Sequence, residues 1–211
     1  MSNLPAENVS KIVQVLQDFI SHIPTTSEPE SDDPVPRSKF LGNSAAANAA
    51  IVSGSLSIPP GPWGMITIIP DLVAVWKIQA QMVADIAGAF GKQATLTREQ
   101  MLYCLFRHAA SQAVRDLVVR VGERVLVKRA SLRLILKILQ RIGVKVTQRL
   151  AGRFISRWLP IIGAVGVGAY AYYDTAQVAQ TSIEFFQQEI DVEKEEKDEQ
   201  DCQQSAALGK E

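Results

Sequence analysis

Arg129, Arg133, Lys137, Arg141, Lys145, Arg149, Arg153 and Arg157 put a cation at every fourth position, and no Asp or Glu interrupts the row. Apolar residues fill the gaps at the same spacing: Leu134, Ile138 and Ile142, then Val146, Leu150, Phe154 and Trp158. Residues four apart are neighbours on a helix surface. The segment is therefore predicted to be basic amphipathic helix, a type that serves membrane surfaces or partner proteins. A charge run is also often no more than a solvated face. This one lacks the acidic partners at i±4 that an ordinary surface helix carries.

Helix geometry limits the row. Each step of four advances about 40° around the axis, so one straight helix cannot hold all of these cations on one face. Gly143 stands at the midpoint, and glycine is a poor helix-interior residue. A break near Gly143–Lys145 is expected, leaving two shorter helices that each carry a compact basic stripe.

The net charge of the 211 residues is zero, but its distribution is lopsided. The region Arg98–Arg157 is strongly basic, and Glu193, Glu195, Glu196, Asp198, Glu199 and Asp201 cluster in the C-terminal tail. The zero is a cancellation between segments, so local fields matter more than the sum. Such a tail serves either as a disordered solubilising segment or as a screen folded over the basic face. Hydrophobic residues make up 47% of the chain and charged residues 21%, enough apolar surface for one packed core. The only cysteines, Cys104 and Cys202, imply no disulfide framework and point to a reducing compartment. Met1–Ile23 spaces Val9, Ile12, Val13, Leu16, Phe19 and Ile20 as a helix does, and is not read as a signal peptide. Cytoplasmic residence, or a place on the cytoplasmic face of a membrane, is expected.

Along the chain, residues 1–23 are expected to be a tethered amphipathic helix. Residues 24–37 (PTTSEPESDDPVPR) are rich in Pro, Ser and acid and are expected to be a disordered linker. Residues 38–190 are expected to form the helical domain, and 191–211 a disordered acidic tail. From Phe40 to Pro70 there is no charge, and Ala45–Ala50 with Gly54 offers a small-residue surface. Prolines 59, 60, 62 and 70 exclude one spanning helix, so two apolar pieces around a Pro-Gly turn are expected. Trp63 beside that turn fits either a bilayer interface or a buried core.

Asp71–Phe90 is an amphipathic helix, with Asp71 expected as N-cap and Gly91 as the closing glycine. Its stripe is Leu72, Val75, Trp76, Gln79, Met82, Val83 and Ile86. Thr97–Arg129 reads as further helix, opened by a Thr97/Gln100 capping box. Met101, Leu102, Leu105, Ala109, Gln112, Ala113 and Leu117 form its apolar face. The valine-rich stretch Val118–Val127 is compatible with a strand, but Gly122, Glu123 and Arg124 favour a helix break. Leu159–Tyr173 is almost wholly apolar, short of the roughly twenty residues of a spanning helix, and rich in Gly and Ala. It belongs either inside a bilayer or inside the protein, with a buried bundle helix favoured.

Chemistry is sparse. The chain has no G-x-S-x-G elbow, P-loop, dinucleotide fingerprint or CxxC pair. No cofactor and no metal site are expected, since the two histidines lie far apart in sequence. Cys104 and His108, at i and i+4, share a helix face and are the nearest approach to a nucleophile with a base. Asp71, Asp85 and Asp116 are the interior carboxylates of note; Asp85 is expected to bridge to Arg107 or Arg115. Nucleic acid is not an expected partner, because no reader motif accompanies the cations.

Three segments together resemble the EcsC protein family. They are PPGPWGMITIIPDLVAVWKIQAQMVADIAGAFGK with its Pro70-Asp71 step and its Ile86-Ala87 and Phe90-Gly91 pairs, the central helix with its Arg-rich continuation, and WLPIIGAVGVGAYAYYDT. The resemblance spans roughly Gly54–Phe186. It departs from the family at Phe90, where many members carry Tyr, and at Lys92 and Gln93, where an Asp is common. It implies a mostly helical, bacterial, membrane-associated protein with no assigned catalytic activity, and transfers no catalytic residue.

The expectation is an all-α multi-helix bundle with a Gly/Ala-rich apolar hairpin, a flexible N-terminal linker and an acidic C-terminal tail. It is expected to be non-enzymatic and to bind anionic lipid surface. The residues expected to carry this are Arg133, Lys137, Arg141, Lys145, Arg149, Arg153 and Arg157, with Trp158 and Trp63. The alternatives are a soluble helical scaffold that binds an acidic protein partner, and an enzyme using Cys104 or a buried carboxylate.

Overall fold

The helix Ile68–Ala89 packs against both the helix before it and the helix after it. The structure, a computed structural model, describes residues 12–17, 22–56, 68–114, 117–121, 124–127, 130–153 and 165–188. Within these, residues 12–17 are helical (α1). They are followed by α2 (Pro34–Leu56), α3 (Ile68–Ala89), a 3-10 turn at Gln93–Thr95 and α4 (Arg98–Val114). Strands β1 (Val118–Val121) and β2 (Arg124–Val127), then α5 (Leu132–Arg153), come next. The last helical segment, α6, covers 165–188.

In α3 the expected stripe is buried from Val75 through Ile86, with Leu72 only half-covered. Ala80, Ala84 and Ala87 are buried as well. Large side chains on one side and alanines on the other let neighbours close around it. The helix starts at Ile68 and not after an Asp71 N-cap. Pro70 is tolerated in that first turn because the first N–H groups of a helix have no intrahelical partner. At its far end Gly91 has φ +69°. Its N–H donates to Gly88 O at 2.8 Å, and the Lys92 N–H donates to Ala87 O at 2.7 Å, which is a Schellman closure. The expected closing glycine is thus in place.

The capping box that opens α4 is reciprocal: Thr97 N–H donates to Gln100 Oε1 at 2.8 Å, and Gln100 N–H to Thr97 Oγ1 at 3.2 Å. Met101, Leu102 and Leu105 are buried as expected, while Gln112 is exposed. The Trp76 and Phe106 rings meet edge to face at 5.6 Å and join α3 to α4. The backbone leaves helical geometry at Ala110 (φ −143°), and the helix stops at Val114. The valine-rich stretch is an antiparallel hairpin, with Val118 opposite Val127 and Val121 opposite Arg124. This corrects the expected helix through Arg129. β-branched residues lose little in a pleated strand, and two intervening residues beginning with Gly122 suit a hairpin connection.

α5 runs unbroken through Gly143, against the expected break. A glycine inside a helix costs about 1 kcal/mol relative to alanine. Ile135, Ile138, Leu139 and Ile142 are buried on this helix, and Gly143 itself is covered. Packing against α4 outweighs the local penalty.

Residues 24–37 are no loose linker. Pro34 and Pro36 occupy the first turn of α2, where a fixed φ is favourable. The residues before them lie against the end of α3: Ser31 N–H donates to Ala89 O at 3.0 Å, and Gln93 Nε2 donates to Thr26 O at 2.8 Å. A Cβ on Gly88 would sit 2.8 Å from Glu28 O, so only glycine permits this approach. Nor is the first helix merely tethered, because Ile12 and Leu16 are buried in the same core as α3, α4 and α5.

The small residues join α2 to α6. A Cβ on Gly42 would meet the Ala179 Cβ at 2.7 Å, and one on Gly168 would meet Ala50 O at 3.0 Å. These two contacts make α2 and α6 antiparallel. α6 buries Val178, Ile183, Phe185 and Phe186 and exposes Val165, Tyr172 and Tyr173. Among the described residues no helix is long and apolar enough to cross a membrane. The acidic tail 191–211 lies outside the described residues.

Candidate functional site

α5 carries the basic row on its outer face. Arg133, Lys137 and Lys145 are exposed and Arg141 is half-buried. At a rise of about 1.5 Å per residue the row from Arg133 to Lys145 is about 18 Å long and turns through about 120°. Among the described residues no carboxylate pairs with Arg133, Lys137 or Lys145. A second row runs about 100° away around the same helix. It contains Leu132, Leu136 and Val144, which are 69%, 38% and 39% exposed. Apolar side chains on a solvent face beside unpaired cations make a surface that is amphipathic on its outside, independently of the stripe facing the core.

Arg149 and Arg153 continue the row on the same helix, with side chains outside the described residues. Arg157, Trp158 and Trp63 lie outside the described residues altogether. The structure thus brings together four of the expected cations, Arg133, Lys137, Arg141 and Lys145, on one helix face. The exposed leucine row was not part of the expected site. Its signal was present in the sequence as a second i, i+4 series, Leu132 and Leu136, outside the series that packs inward.

A second polar group is interior. Gln79 of α3 is almost fully buried, and its Nε2 donates to Asp174 Oδ2 at 2.9 Å and to Thr175 Oγ1 at 3.1 Å. His108 Nε2–H donates to Asp174 Oδ1 at 2.9 Å. One carboxylate on α6 therefore holds polar groups from α3 and α4. His108 Nδ1 is buried with no hydrogen-bond partner. Cys104, fully buried one turn earlier, is therefore not bonded to the imidazole. The nucleophile–base pair that i, i+4 spacing allowed is not formed, because the ring turns its Nε2 toward Asp174. Sequence reasoning missed Gln79 and Asp174 as a pair. The clue was a glutamine inside an apolar stripe and an aspartate closing an apolar run, since each needs a buried partner.

Asp85 also differs from expectation. It accepts hydrogen bonds from the Thr26 hydroxyl and from Gln81 Nε2, and not from an arginine. Arg107 instead pairs with Glu184 at 3.2 Å, with its guanidinium 5.6 Å from the Tyr103 ring. Arg115, Asp116 and the Asp71 side chain lie outside the described residues. Near Asp85, Arg37 donates to both oxygens of Glu28, at 2.7 and 3.0 Å. The two hydrogen bonds hold the Glu28 carboxyl below the usual carboxylate range. Among the described residues no cluster of His, Cys, Asp and Glu could hold a metal ion. No protein-family model matches the chain, and neither the curated proteins nor the solved structures give a match.

Proposed function

We propose that this protein is a non-enzymatic, peripheral membrane-associated helical protein that binds anionic lipid surface through the outer face of α5. Arg133, Lys137 and Lys145 supply the attraction, with Arg141 in the same row and Arg149, Arg153 and Arg157 extending it. Leu132, Leu136 and Val144 enter the interfacial layer beside them. The observation that carries this reading is that Arg133, Lys137 and Lys145 are exposed and have no carboxylate partner among the described residues, next to an exposed apolar row on the same helix. Cations close to an anionic surface contribute about 1 kcal/mol each. Three of them give about 3 kcal/mol, to which the apolar row beside them and the rest of the basic row add. The resemblance to the EcsC family, which implies membrane association, agrees with this role.

Sedimentation with liposomes tests it. The full chain is expected to pellet with vesicles containing anionic lipid and to stay in solution with neutral ones. Added salt should release it. Replacing Arg133, Lys137 and Lys145 together by Gln should weaken binding about a hundredfold, at roughly fivefold per cation. Equal pelleting with both vesicles, or none with either, removes the electrostatic reading. In that case the scaffold that takes an acidic protein partner on the same face becomes the better account.

A further inference from the structure

We propose that the acidic segment Asp191–Asp201 of this same chain docks on the basic row of α5 and competes there with an anionic membrane surface. The competition rests on the reading of that row given above. The contact itself does not.

The start of α4 is where the relevant ends meet. Glu99 Oε1 accepts the Ala130 N–H at 2.9 Å, which fixes the beginning of α5 to the first turn of α4. One turn along α4, about 6 Å away, the Tyr103 ring lies 5.6 Å from Phe185 in the last turns of α6. Phe185, close to Gln188, the last described residue of α6, therefore lies on the same side of the molecule as the end of α5 that carries Arg133 and Lys137. An extended chain spans about 3.3 Å per residue, so about six residues cover the 18 Å from Arg133 to Lys145. The stretch Asp191–Asp201 is longer than that, and Asp191 follows Gln188 by only three positions.

Charge selects this occupant. From Asp191 to Asp201 seven carboxylates stand against Lys194 and Lys197. Among the described residues, Glu99 is already engaged with the Ala130 N–H and Glu184 with Arg107. Opposite charges held within a Debye length by a short tether meet at high effective concentration, so the contact forms before any partner arrives.

Cys202, one residue past this segment, permits a direct test, since Cys104 is fully buried. A nitroxide on Cys202 of the full chain should broaden the backbone amide signals of Arg133–Lys145 at low salt. The signals should recover at about 0.5 M salt, where screening is strong. They should also recover in a variant with Glu193→Gln, Glu195→Gln, Glu196→Gln and Asp198→Gln, whose changes lie outside the described fold. In liposome sedimentation that variant should bind anionic vesicles about tenfold more tightly than the parent. The absence of broadening on α5 overturns the docking, as does broadening that survives neutralisation of the segment. Vesicle binding without broadening defeats the tail contact and leaves the membrane reading standing. Broadening without vesicle binding does the reverse.

Discussion

Asp174 is the residue on which most of the interior polar structure depends. Its two oxygens take donors from Gln79 and His108, so a single side chain ties α6 to α3 and α4. Replacing Asp174 by Ala leaves His108 Nε2–H without its acceptor and Gln79 Nε2 with Thr175 Oγ1 alone. A buried donor without a partner costs about 1–3 kcal/mol. Asp174→Ala is therefore expected to destabilise the fold by about 1–3 kcal/mol in urea titration, and Asp174→Asn by less, since the amide keeps one acceptor oxygen. Equal stability of all three proteins would show that the contact contributes nothing. None of this pairing was legible in the sequence, because Gln79 and Asp174 are 95 residues apart. What was legible was that each stood in an apolar context and so required something.

Local chemistry decided the ends of elements and long-range packing decided their continuity. The Thr97/Gln100 box and the Gly91 closure involve residues within a turn of each other, so spacing alone locates them. Gly143 and the valine stretch went the other way. In α5 the buried isoleucines hold a helix that the glycine would weaken, and the valine stretch pairs as an antiparallel hairpin with Val118 opposite Val127. The strap at residues 22–33 is the element whose order the sequence concealed most, because its Pro-, Ser- and acid-rich composition is also that of a linker. Its tie to α2 is the Arg37–Glu28 pair, and the Glu28 carboxyl is held below its ordinary range. A carboxyl with a lowered folded value adds stability that is present above its unfolded range and is lost as pH falls through the folded value. Hydrogen exchange at the Ser31 amide reads this directly. Its protection factor should fall as pH drops through the low carboxylate range, and should already be low and flat with pH in Glu28→Gln. A parent and variant with the same profile would mean that the ion pair does not fasten the strap.

At the scale of the molecule, the first helix belongs to the main core. Leu16 is fully buried there, so Leu16→Ala should cost about 2–5 kcal/mol in global unfolding. An unchanged melting temperature would return that helix to the status of a tethered appendage. The helical class, the amphipathic faces and the basic row were determined by the sequence alone, because helix periodicity and charge spacing are properties of neighbours four residues apart. Which faces meet was decided only by the tertiary structure. Gly42 against Ala179, Gln79 against Asp174 and Thr26 against Asp85 join residues remote in sequence. Apolar and small surfaces attract without direction, so a pattern reveals that a face must be covered and leaves its partner to be settled by the shape of everything else.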